Sequence, residues 1–235
     1  MCSSDLREIK ESDLPVHPEN WYKENNIDLK TGIEVKNILS NDKMLELSNG
    51  EKAKFDKLIL AMGAHSFVPP IQGANKKNVI CIRTCDDVKY LLDNLEKGKK
   101  CVCIGGGILG IEAAGAIAKN GVNVTMLESF SWLMPRQLNK EPSNILENHL
   151  KKIGIELVLN AKIKEITGED SAKSVLLENG SNIDADFVII TAGIRSNTHL
   201  ARAASIKVNS GIIVDQYLAT SNPDIYAVGD VAESQ

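Results

Sequence analysis

Residues 100–119 read KCVCIGGGILGIEAAGAIAK, and residues 123–128 read NVTMLE. An apolar run, three glycines and an apolar run of helical spacing predict a strand over 100–104, a tight turn and a helix over 110–119. Asn120–Gly121 stops that helix, and 123–127 is the next strand. The turn is a G-x-G-x-x-G formed by Gly105, Gly107 and Gly110, with Ile108 and Leu109 in the last two variable positions. Such a match alone is weak; the flanking strand and helix make it specific. Gly105 permits the turn, Gly107 lets a pyrophosphate approach the backbone, and Gly110 lets helix and strand pack closely. The bound phosphates would then sit against the free N–H groups of the helix N-terminus.

The second strand ends at Glu128, near the roughly 20-residue spacing expected of an acid that accepts from a ribose 2′-hydroxyl. A carboxylate repels a 2′-phosphate, and Ser129, Phe130 and Ser131 supply no cation, so NADH is favoured over NADPH. Glu112 has two readings. It either stabilises the first turn of the helix through the dipole, or stands as a polar group beside a bound nicotinamide.

Outward from this unit the pattern stays α/β. Residues 86–96 have helical spacing, with Val88, Leu91, Leu92 and Leu95 as the apolar positions and Gly98 as the expected C-cap. Residues 141–153 form another helix, with Leu146, Leu150 and Ile153 on its buried face and Gly154 as its stop. Short β runs are expected at 156–159, 163–166, 175–177, 187–191, 212–214 and 225–228. Before residue 78, strand signals lie at 27–29, 33–39, 44–47 and 57–61, with Asn49–Gly50 as a hairpin turn. Residues 1–26 are polar and expected to start irregular. Pro69–Pro70 and Gly73 loosen the chain, and a domain crossing is placed near Lys77.

Composition narrows the function classes. With 235 residues, one large or two small domains fit. A net charge of −4 without a basic stripe argues against nucleic acid as a partner. Aromatic residues are only 4%, so the core must be aliphatic, as in parallel-sheet proteins. Residues 101–118 are apolar, but their glycines and Glu112 fit a strand, turn and helix better than a membrane span, and no membrane partner is expected. Five cysteines (Cys2, Cys81, Cys85, Cys101, Cys103) form no zinc or disulfide pattern, and no apolar leader follows Met1, so a cytoplasmic location is expected. His17, His65, His149 and His199 are scattered and form no ligand set; no metal site is expected.

Seven segments carry a family resemblance: WYKENNIDL (21–29), FDKLILAMGA (55–64), IRTCDDVKYL (82–91), IGGGILGIEAAG (104–115), LMPRQLN (133–139), TAGIRSN (191–197) and TSNPDIYAVGDVAE (220–233). Through them the chain resembles the FAD-dependent pyridine nucleotide-disulfide oxidoreductases, closest to the NADH–rubredoxin reductase and nitrite-reductase flavoprotein branch. The resemblance implies an α/β fold: a Rossmann-like NAD-binding domain inserted in an incomplete FAD-binding domain with additional β structure. It places the NAD(P) domain at 78–195 and the FAD domain at 1–77 and 196–235. It implies that Asp230 binds the flavin ribityl chain, that Ala61 and Gly63 belong to the segment crossing between domains, and that Arg83 lies near the flavin. It also implies that Gly193 and Ile194 flank the NAD. Met62 stands where the family has threonine, and Ser196 where proline is usual.

The front departs from the family. No glycine precedes Gly32, so the N-terminal FAD fingerprint is expected to be absent, and the C-terminal interface domain likewise. The implied activity is hydride transfer from NADH to FAD, with electrons leaving to an acceptor such as rubredoxin. The cofactors carry that chemistry, so no catalytic side chain is assigned. Cys101 and Cys103 alternate on a buried strand, where cysteine acts as a small hydrophobe. The alternative is a non-catalytic NAD-binding module that does not hold flavin stably on its own.

Overall fold

The computed structural model describes residues 14–234. Cys2 and the first part of the expected irregular start lie outside the described residues. In chain order the elements begin with α1 (Glu19–Glu24), β1 (Val35–Leu39), β2 (Met44–Leu47), β3 (Lys52–Lys54), β4 (Leu58–Leu60) and β5 (Ala64–Ser66). They continue with β6 (Val79–Ile80), α2 (Cys85–Asn94), β7 (Lys100–Ile104), α3 (Ile108–Lys119), β8 (Asn123–Leu127), α4 (Lys140–Lys152) and β9 (Glu156–Val158). Then come β10 (Ile163–Thr167), β11 (Ser174–Leu177), β12 (Asn182–Asp184), β13 (Phe187–Ile190), β14 (Ile194–Ser196) and α5 (His199–Ala203). The chain closes with β15 (Ile212–Val214), β16 (Ile225–Ala227), a 3-10 turn (Gly229–Val231) and β17 (Ala232–Ser234).

These elements form two compact units, Ser66–Gly193 and Pro15–His65 with the segment from Ile194 onward. The first is built on a five-stranded sheet in the order β6-β13-β7-β8-β9, parallel at every pairing. Its strands alternate between two cores. Cys101, Cys103, Phe187 and Ile189 face one side with Leu91 of α2, Ala114 and Ile117 of α3 and Leu150 of α4. Val102, Ile104, Val188 and Ile190 face the other, against Ile166, Val175 and Leu177 of the antiparallel β10-β11-β12 sheet. A strand covered on both faces must be apolar at every position, which is why KCVCI and FVII read as continuous hydrophobic runs.

This unit begins earlier than the insert expected at 78–195, and it stops at Gly193. Residues 66–77 pack with it: Ile71 and Ala74 lie against the second core, and the Gln72 carbonyl accepts from Ile166 N–H at 2.8 Å. In the other unit, β1-β2-β3 form an antiparallel sheet whose β2–β3 turn is Asn49–Gly50, and β4 pairs in parallel with β16. Ile38, Leu60, Ile206, Ile212, Ile225 and Val231 form its core.

Several local expectations give way. Residues 27–29 form no strand, and Ile27 and Leu29 are exposed. Residues 19–24 are helical rather than irregular. Helix α2 ends at Asn94, so Gly98 belongs to the following turn and is not the cap. On α4 the buried residues are Ser143, Glu147 and Leu150, while Ile153 is exposed.

Candidate functional site

In the parallel sheet, β7 leads through α3 to β8 on one side, and β13 returns on its other side. That reversal at the carboxyl end of β7 is the position where open α/β sheets bind ligands. The glycine turn sits there. Gly105 has φ +113, left-handed backbone that suits glycine, and a Cβ on it would lie 2.7 Å from the Thr191 carbonyl oxygen. A Cβ on Gly110 would lie 2.0 Å from the Gly105 carbonyl oxygen, so helix and turn touch there through backbone alone. Thr191, at the end of β13, locks the turn: its hydroxyl donates to the carbonyls of Ile104 at 3.0 Å and Gly105 at 3.2 Å.

Gly107 differs from both neighbours. It is the N-cap of α3, with φ −83 and ψ −179, and a Cβ there would meet nothing within 4 Å. The open space lies at the start of a 12-residue helix, whose first N–H groups lack intrahelical acceptors and carry the positive end of the dipole. Ile108 and Leu109, the first helical residues, are exposed. The helix starts at Ile108, ahead of the expected residue 110. Glu112 therefore stands beyond the first turn, half-buried, and the helix-dipole reading of it fails.

Glu128 is only 6% exposed. Its Oε2 accepts from Gly106 N–H at 2.7 Å, and its Oε1 from Phe130 N–H at 2.9 Å and from the Ser129 hydroxyl at 3.1 Å. A carboxylate has about four acceptor sites. Three are engaged, which leaves capacity for one further donor. The acid expected from spacing is thus also a brace of the glycine turn.

The remaining candidates are distributed between the units. Arg83 is exposed in the first, and its N–H donates to Asp87 Oδ2 at 3.0 Å beside the Thr84–Asp87 capping box of α2. Gly193, at the end of the first unit, has φ +106, and Ile194 opens the second. In the second unit, Asp230 is exposed on the 3-10 turn, and its carbonyl accepts from the Ser196 hydroxyl at 2.7 Å. A proline at 196 could not make that bond. Ala61 and Gly63 flank Met62 at the end of β4.

Sequence reasoning overlooked Asn197, which holds this segment: its Nδ2 donates to the Met62 carbonyl at 2.8 Å and its backbone N–H to the Gly63 carbonyl at 3.0 Å. Its Oδ1 then faces His65 Nδ1 at 2.8 Å, so that nitrogen carries the proton. The only advance signal was the asparagine's place in the TAGIRSN motif.

Two of the thiols, Cys101 and Cys81, are poorly suited to nucleophilic work. A hydrogen bond with Cys103, together with burial, holds Cys101 well above the ordinary thiol range, and burial and then Asp87 push Cys81 up. Among the described residues, no cluster of His, Cys, Asp or Glu could hold a metal ion, and no helix is long and apolar enough to cross a membrane.

A family profile described as pyridine nucleotide-disulphide oxidoreductase matches residues 4–235. The chain is 38% identical over 221 residues to nitrite reductase [NAD(P)H] of Bacillus subtilis (strain 168), covering 94% of this chain and 28% of that protein. It is 33% identical over 226 residues to rubredoxin-NAD(+) reductase of Pseudomonas putida, covering 96% and 59% respectively. The crystal structure of the ferredoxin reductase for the CYP199A2 system from Rhodopseudomonas palustris superposes with a TM-score of 0.92 at 29% identity. That match covers 96% of this chain and 56% of the other. The chain thus spans between 28% and 59% of the length of these relatives.

Proposed function

The chain belongs to the pyridine nucleotide-disulphide oxidoreductase family, and from that premise we propose that it is the NADH-binding part of an NADH-dependent FAD oxidoreductase. The observation that carries this reading is Gly107: an uncovered glycine at the N-terminus of a long helix, at the sheet's switch point, beside a buried acid with one acceptor site to spare. These residues fit a dinucleotide. The N–H groups opening α3 would take the pyrophosphate. Glu128 would accept from the ribose 2′-hydroxyl and oppose a 2′-phosphate. Ile108 and Leu109, with Gly193, would line the path to the nicotinamide, and Glu112 would be a polar neighbour to it.

For FAD, the second unit offers Asp230, whose exposed carboxylate can accept from a polyol, and the Ala61–Gly63 segment that follows β4. When bound, a flavin would supply the chemistry of accepting a hydride and passing its two electrons on. The protein's own share is to hold, orient and shield. A relative named rubredoxin-NAD(+) reductase suggests a redoxin-type protein such as rubredoxin as the acceptor.

The test is an FAD titration of the purified chain followed by visible absorption, with NADH added anaerobically. NADH binding is expected, and flavin uptake with bleaching by NADH would show that the residues present suffice for both cofactors. NADH binding without flavin uptake would favour a dinucleotide-binding module instead, and binding of neither would remove the proposal.

A further inference from the structure

We infer that Ser143 is a positioning residue for the dinucleotide site, acting through the loop over 129–139; this rests on reading the glycine turn as the NADH site. Ser143 lies on α4 and is 0% exposed. Its hydroxyl accepts from Leu133 N–H at 2.9 Å and donates to Glu147 Oε1 at 3.2 Å. Glu147 is itself only 9% exposed. A buried hydroxyl with both roles filled is a fixed point, because moving it would leave buried partners unsatisfied.

What it fixes is the roof of the glycine turn. Leu133 is wholly buried, and its Cδ2 would lie 2.5 Å from a Cβ on Gly106. The next residue, Met134, donates its N–H to the Gly106 carbonyl at 3.0 Å. Met134 does so at φ +52, a left-handed backbone that residues with a Cβ adopt uncommonly. At the front of the loop, Phe130 N–H and the Ser129 hydroxyl hold Glu128 Oε1, while Gly106 N–H holds Oε2. The loop is therefore tied to the acid at its front, and in its middle to Ser143 through Leu133 and to Gly106 through Met134. Glu128 is held directly by the front of this loop and by Gly106, which the middle of the loop holds in turn. The Ser143 hydroxyl itself is too deeply buried to touch a nucleotide.

Removing the hydroxyl should slacken the loop and blur discrimination at the 2′ position. The experiment is titration of the full chain with NADH and with NADPH, read by nicotinamide fluorescence. The proteins are wild type, Ser143→Ala, Ser143→Thr, Gly107→Ala and Glu128→Gln, each with a thermal midpoint and amide exchange at Leu133 and Phe130. For Ser143→Ala we expect NADH binding about tenfold weaker and NADPH about twofold weaker, so that the preference narrows about fivefold, with both amides exchanging faster. Ser143→Thr, which keeps the hydroxyl, should restore the wild-type preference.

A lowered midpoint with the NADH-to-NADPH ratio unchanged would make Ser143 merely structural and overturn the inference. If Ser143→Ala does not fold, Ser143→Cys, near in volume but a poor acceptor, should narrow the ratio partway; a wild-type ratio there overturns it equally. If Gly107→Ala and Glu128→Gln leave NADH binding untouched, the turn is not the site, and both the reading and the inference fall. Sensitivity at Gly107 and Glu128 with none at Ser143 would sink the inference alone.

Discussion

Gly107→Ala separates binding from folding more cleanly than any other substitution at the site. The residue has φ −83 and ψ −179, extended backbone open to alanine, and the added methyl would meet nothing within 4 Å. Alanine is a poorer N-cap than glycine, by about 0.5–1 kcal/mol. Stiffening of the unfolded chain offsets this by about 0.4–1 kcal/mol. The net change in stability should stay within about 0.5 kcal/mol, a shift in Tm of at most about 2 °C. Binding should suffer far more. The methyl stands where a pyrophosphate would approach the first N–H groups of α3, and losing one or two charge-assisted hydrogen bonds costs about 3 kcal/mol. That is roughly a hundredfold in Kd. Thermal melting and an NADH fluorescence titration on the same preparation decide the matter. NADH binding within threefold of wild type, with melting unchanged, would show that the open space at Gly107 serves no ligand.

Gly110→Ala should do the opposite: its Cβ would lie 2.0 Å from the Gly105 carbonyl oxygen, a backbone clash expected to cost about 3 kcal/mol or more in chemical denaturation. Glu128→Gln should weaken NADH severalfold and narrow its advantage over NADPH, whereas Glu128→Ala would also strand the Gly106 and Phe130 N–H groups and lower Tm; an unchanged nucleotide preference in the Gln variant removes Glu128 from the ribose site. Asp230→Ala should weaken FAD binding about tenfold and leave NADH binding to flavin-free protein unaltered, and equal loss of both would show the assignment to be mistaken. Lys43 and then Lys57 hold the Asp224 carboxyl below the usual aspartate range. A depressed folded value means that this contribution to stability is complete above about pH 4 and is lost as pH falls through the lowered value. Acid titration of Asp224→Asn should accordingly show a shallower decline below pH 4 than wild type, and identical profiles would count against the pair.

The glycine turn and its flanking strands were legible because their signals are local. A strand buried on both faces must be apolar throughout, and the turn that follows needs glycine at Gly105 for its φ and at Gly110 for its contact. Strands β7 and β8 accordingly have the bounds expected of them. Helix α3 starts two residues early because the last glycine of the motif lies inside its first turn, and Glu112 changes meaning with it. Ile27 and Leu29 mimic strand alternation in a segment that pairs with nothing regular, while β3, β12, β14 and β17 are three residues each, too short to show a period. Ser143, Thr191 and Asn197 were illegible for a different reason. Each is an ordinary polar residue in sequence, and only the chain's return through space gives it a glycine turn, a loop or a neighbouring carbonyl to hold. Pro69–Pro70 and Gly73 look like a linker in sequence, yet Ile71 and Ala74 are packed against the core of the first unit.

The decisive measurement is calorimetric titration of the purified chain with NADH and, in parallel, with NADPH. One NADH should bind per chain, more tightly than NADPH, with the difference reduced in Glu128→Gln. Binding of neither nucleotide, or tighter binding of NADPH, would contradict the reading of the glycine turn as an NADH site.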